Sequence, residues 1–219
     1  MNSTLRVQKT TASFSTTALS KLFFKVVLCL SLCGLGSFEA RAQVATNYVA
    51  THSAISPAYS NLSTATKQIV IGGDWNDDAP VNVPFASLGT GFDFKFNGVA
   101  QTSAWISPNG FITFGTTPSL ATTTTGLSTD TSAPNTIEGA IAGFSANLVN
   151  ANTTTSEIAY ETVGSKFVVQ FTDLKLSGGS ATQLLNFQIQ LNSSNNSIAI
   201  VYGTCASGSA NATGQIGLK

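Results

Sequence analysis

Asp74, Trp75, Asn76, Asp77 and Asp78 stand together in GGDWNDDAP, residues 72–80, the densest group of polar chemistry in the chain. Clustered carboxylates are hard oxygen donors, which makes Asp74, Asp77 and Asp78 candidate ligands for Ca²⁺. A tryptophan beside acids also suits a sugar, whose ring stacks on the indole while its hydroxyls bond the polar neighbours. Trp75 and Asn76 are therefore candidate ligand-binding residues. The spacing fits no EF-hand loop. Asp, Asn and Gly equally fill an ordinary turn, where their side chains accept local backbone N–H groups. The turn is the reading adopted, with no cofactor required; Ca²⁺ and a sugar are the alternatives.

Catalytic chemistry has less to work with. The single histidine, His52, lies in ATHSAIS, and no Gly-x-Ser-x-Gly elbow occurs anywhere, so a Ser-His-Asp hydrolase lacks its parts. One histidine also rules out a His-rich zinc hydrolase. A glycosidase needs two carboxyl groups across a cleft, and Glu138, Glu157, Glu161 and Asp173 are available. Glu157 and Glu161 flank a predicted strand and are expected to point to solvent. No catalytic residue is assigned, and the chain is read as a non-enzyme.

The start of the chain differs from the rest. Lys21 and Lys25 lead into VVLCLSLCGLG, an apolar run short of the roughly twenty residues that span a bilayer. EARAQ follows, with Ala40 and Ala42 at the small positions of a peptidase site. Residues 1–42 read as an N-terminal extension and cleavable signal peptide. A retained anchor and a lipoprotein through Cys33 are the rival readings. The whole chain has 10 basic and 10 acidic residues. Residues 43–219 keep five lysines, nine acids and no arginine, a net charge of about −4. Without arginine forks or basic stripes, nucleic-acid binding is excluded. Cys29 and Cys33 leave with the leader, so Cys205 remains alone and is expected to be a buried small hydrophobe, with pairing to a cysteine of a longer chain as the alternative.

What must position these residues is antiparallel β structure, because short alternating runs recur between turn signals. GFDFKF sets Phe92, Phe94 and Phe96 on one face, and Asn97-Gly98 supplies a hairpin turn. SAWIS, PNG and FITFG read as strand, turn and return strand; Ile112 and Phe114 face opposite to Phe111 and Thr113, as on an inner strand. Residues 116–136 are a low-complexity loop without a core-forming pattern. Strands resume in IEGAIAGF, SEIAYET, KFVVQFTD, LLNFQIQLN and SIAIVYG. Phe167, Val169 and Phe171 share one face; so do Leu185, Phe187, Ile189 and Leu191, with Asn186, Gln188 and Gln190 opposite. A strand opens at Gln215 and the sequence stops, which reads as a truncated longer protein. The prediction is an all-β, antiparallel, jelly-roll-like β-sandwich over 43–219. Loops 72–80 and 116–136 would stand at one rim.

NVPFASLGTGFDFKFNGVAQTSAWISPNGFITFG, with IAGFSANL, SEIAYETVGSKFVVQFTDLKL and NFQIQLNSSNNSIAIVYG, resembles an N-terminal β-sandwich domain of secreted Bacteroidetes surface proteins. The resemblance covers 43–219 and rests on hairpin and core patterns, so it speaks to fold more than activity. It implies an extracellular module, in proteins that often carry a C-terminal sorting domain for type IX secretion. Relatives frequently carry acids just after the IAGF strand, where this chain has Ser145, Ala146, Asn147 and Leu148. The functional expectation is a secreted or surface-displayed module for adhesion or scaffolding, its partner an unknown extracellular protein or glycan, with no membrane span after residue 42. A carbohydrate-binding module using Trp75 and a glycoside hydrolase fragment are the alternatives.

Overall fold

Alternation of apolar and polar side chains is converted directly into sheet faces. The computed structural model describes residues 48, 51, 58–73, 79–89, 91–114, 126–127, 137, 139–208 and 213–219. The candidates Asp74, Trp75, Asn76, Asp77 and Asp78 lie outside the described residues, as do His52 and Glu138. In chain order the strands are β1 Gln68–Gly72, β2 Val81–Pro84, β3 Phe94–Phe96, β4 Val99–Gln101, β5 Ser103–Ser107, β6 Phe111–Thr113 and β7 Ala140–Ser145. They continue with β8 Leu148–Asn150, β9 Glu157–Val163, β10 Lys166–Leu176, β11 Leu185–Asn192, β12 Ile198–Tyr202 and β13 Gln215–Leu218.

The strands form an antiparallel β-sandwich. One sheet has the order β1-β9-β10-β11-β12, with β8 also paired to β10; the other is β13-β7-β6-β5-β2; β3 and β4 make a separate hairpin. Phe167, Val169 and Phe171 of β10 face Phe187, Ile189 and Leu191 of β11 across the ladder, all fully buried in the main core. Each such side chain contributes about 1.5–3 kcal/mol on leaving water. Phe171 and Phe187 stack with ring centroids 4.5 Å apart. At Asp173, with φ 53°, β10 bulges, and beyond it the strand pairs with β8 instead of β9.

The hairpins form where the turn residues stand. Asn97 and Gly98 take φ of 51° and 79°, the double positive φ that a two-residue turn between Phe96 and Val99 requires. Phe94 and Phe96 are buried, with their rings against Phe114, and Phe92 packs on the same core through Phe85 and Phe167. In the PNG hairpin, β6 is an inner strand as expected. Ile112 and Phe114 enter the main core, while Phe111 joins a second cluster on the other face of the sheet with Ala140 and Ala142. The turn itself is buried. Asn109 is 3% exposed; its Oδ1 accepts the Leu148 N–H at 3.1 Å and its carbonyl accepts that of Ala146 at 3.2 Å. PNG is thus a peg that fixes the β7–β8 corner, with no surface left to offer a ligand.

One expectation needs correction here. Leu127, inside the segment read as lacking a core pattern, packs on the Phe111 cluster, and the Gly126 N–H bonds Ser145 Oγ at 2.7 Å. That part of the loop covers the outer face of the five-stranded sheet. Most of residues 72–80 and 116–136, expected together at one rim, lie outside the described residues.

Candidate functional site

Among the described residues, the outer face of the six-stranded sheet carries the most organised polar chemistry. Alternation sends Gln170 of β10 and Asn186, Gln188 and Gln190 of β11 away from the core, yet all four are buried, at 1–8% exposure. The cover is a strap, residues 58–67, that crosses this face before β1. Its Leu62 packs on Ala159 and Val168. A buried amide must be paired, and here each side chain has its partner. Gln188 Nε2 donates to the Ser60 carbonyl at 2.6 Å and to Gln170 Oε1 at 2.8 Å. The Leu62 N–H donates to Gln170 Oε1 at 3.0 Å. Gln190 Nε2 donates to Gln188 Oε1 at 2.9 Å, and Lys166 Nζ donates to Gln190 Oε1 at 3.2 Å. Every amide in this chain donates and accepts in the same sense, starting from an ammonium, so each bond polarises the next.

Beside the strap the face stays open as a groove of about 370 Å³, floored by Val168 and edged by Ser60, Glu161, Lys166 and Gln190. Glu161 sits inside β9 and accepts from the Ser63 N–H at 3.0 Å and from Thr66 Oγ1. Glu157, at the first position of β9, pairs with Lys67 Nζ, with the two side chains 16% and 15% exposed. This overturns the expectation that both glutamates flank the strand and face solvent: the strap's turn folds over them and uses them as acceptors. Both are committed to holding the strap. Asp173 in turn accepts from Thr155 Oγ1 at 2.6 Å. The groove offers an ammonium, an amide, hydroxyls and an apolar floor, a set suited to holding a polar ligand.

A second cavity, of about 440 Å³, is lined by Ala146, Asn147, Leu176, Ser177 and Gly214. It stands just after the IAGF strand, and among the described residues its lining holds no carboxylate. Among the described residues no three His, Cys, Asp or Glu side chains stand close enough together to hold a metal ion.

Cys205 is exposed, not a buried hydrophobe. Its thiol donates to the Asn186 carbonyl and accepts the Asn186 N–H, both at 3.4 Å. Leu184 and Ala206 form an isolated bridge beside it. This bridge brings residue 205 alongside β11, and the sandwich interior lies on the far side of that strand.

Fold and groove together define a β-sandwich module with a strapped polar face. The chain belongs to the NIDO-related family, whose match covers residues 47–219, and modules of this family are of extracellular type. No curated protein and no solved structure matches the chain. Among the described residues no helix is long and apolar enough to cross a membrane.

Proposed function

We propose that the chain is a non-enzymatic extracellular module that serves adhesion or the scaffolding of a larger secreted Bacteroidetes protein, exported behind residues 1–42 and of the type IX kind. The family match carries the extracellular part of this reading. It is supported by the use the chain makes of its acids: Glu157, Glu161 and Asp173 accept from Lys67, Ser63 and Thr155 and so serve structure. The mechanism is geometric. A stiff sandwich holds a groove of set polarity, and Lys166 and Gln190 meet the partner there.

A second reading, glycan binding through Trp75 and its neighbours, uses a different part of the molecule and is separated by variants. Beads bearing the chain are tested on immobilised extracellular proteins and a glycan array beside Lys166→Ala and Trp75→Ala. Retention lost with Lys166→Ala alone supports the groove, and retention lost with Trp75→Ala alone moves the site to 72–80. Turnover of a polysaccharide panel would overturn the non-enzymatic reading. The module is proposed to work without a cofactor, so its melting temperature stays the same in millimolar Ca²⁺ and in chelator; a rise reversed by chelator would place an ion at Asp74, Asp77 and Asp78.

A further inference from the structure

Sheet edges are where a β protein is open to strand addition, and natural sequences guard them with bulges, prolines, charges or shortness. Three edges of this sandwich are guarded. β1 has a bulge between Ile69 and Ile71. β2 is four residues long and ends on Pro84, which has no N–H to donate. β13 carries a bulge between Gln215 and Gly217, and Gly217 has φ 145°.

β12 is different. Ile198, Ala199, Ile200, Val201 and Tyr202 pair with β11 residue by residue, without a shift. The strand holds no charge, proline or glycine. Among the described residues no strand pairs with its other side. Tyr202, 42% exposed, is held by a hydrogen bond from its hydroxyl to the Gly143 carbonyl of the opposite sheet, which keeps the end of β12 straight and in place.

We propose that β12 is a self-association edge, which pairs antiparallel with β12 of a second copy and joins the two six-stranded sheets into one. A second copy is the occupant the sequence favours for two reasons. An antiparallel pair related by a two-fold axis sets its central residue against its own copy and the others against their counterparts across the axis, so within so short a strand any charge would lie near its like; β12 has none. Centred on Ile200, the pairing sets Ile200 against its own copy, Ile198 against Tyr202 and Ala199 against Val201, apolar against apolar throughout. The second reason is closure. A copy brings the same unguarded edge, so one event satisfies both, whereas a foreign strand would bring a further edge of its own. This inference is independent of what the groove binds.

Sedimentation equilibrium of the purified chain over about 1–200 µM, the range where short edge pairings associate, tests it. The expected result is a mass that rises from one chain to two. Ala199→Lys, an outward-facing change that adds a charge of the kind by which natural sheets guard an edge, raises the dissociation constant at least tenfold with an unchanged melting curve, while Ile69→Lys and Ile216→Lys on other edges leave it alone. Should Ala199→Lys fail to fold, amide exchange on the native chain decides. Protection confined to 198–202 that grows with concentration supports the pairing. A single-chain mass throughout, or a dimer weakened equally by Ile69→Lys, would overturn it.

Discussion

Tyr59 in the strap is the residue whose chemistry is least satisfied. Its ring lies against Gly203, where a Cβ would come within 3.0 Å of the ring carbons. Its hydroxyl is buried and has no hydrogen-bond partner among the described residues. Burial pushes the phenol up to about 12, helped by the negative charges of Asp173, Cys205 and Glu157. Tyr202 rises to about 12 as well, again chiefly by burial. The folded protein thus holds both phenols neutral where an unfolded chain would ionise them, near pH 10. Their contribution is whole below about pH 10 and is lost as pH climbs through about 12. Tyr59→Phe keeps the ring and removes the orphan hydroxyl. Its expected effect at pH 7 is no loss, or a gain of up to about 1 kcal/mol, and the advantage over the parent grows between about pH 10 and 12. Urea unfolding at pH 7 and pH 11 measures both, and a clear loss at pH 7 would reveal a partner for the hydroxyl.

At the scale of elements the strap and the ladder beneath it depend on each other. Gln188 is the central link: it bonds Ser60, Gln170 and Gln190. Gln188→Leu takes the donor from the Ser60 carbonyl, the acceptor from Gln190 Nε2 and one of the two donors from Gln170 Oε1, which costs about 1–3 kcal/mol. Amide exchange over 58–63 speeds up with it. Gln190→Ala, which touches no strap atom among the bonds described, leaves that exchange rate close to the parent's while removing a donor from the groove. If both variants loosen the strap alike, the ladder acts as one unit and Gln190 is not a separate binding group. The glutamines of KFVVQFTD and LNFQIQLN are placed on their face by alternation alone. That the face is roofed cannot be seen in those segments, because the roof, at Ser60 and Leu62, lies more than a hundred residues away in sequence. The groove was missed for the same reason. Its available signal was the excess of amides on two neighbouring strands at positions that ordinarily face solvent.

For the whole molecule, the spacing of the two sheets sets the stability. Gly143 of β7 faces Phe187 of β11 so closely that a Cβ would come within 2.5 Å of the ring. Gly143→Ala must push the sheets apart or turn the Phe187 ring out of its stack on Phe171, with an expected loss of about 1–3 kcal/mol by thermal melting. Phe187→Leu makes room, so the double variant loses less than the two single losses combined. Strict additivity would show that the two residues do not meet.

By itself the sequence determined which side chains share a face and where the hairpins turn, since strand alternation has a period of two and positive φ is a local demand met by Asn97-Gly98 and Gly110. It was likewise enough to foresee the buried set Phe167, Val169, Phe171, Phe187 and Ile189. Tertiary structure alone decided which faces are covered, that Glu157 and Glu161 serve the strap, that Leu127 is core, that Cys205 is exposed, and that β12 ends a sheet. Each of those is a pairing between distant segments, and local alternation carries no information about which distant strand or strap arrives on the other side.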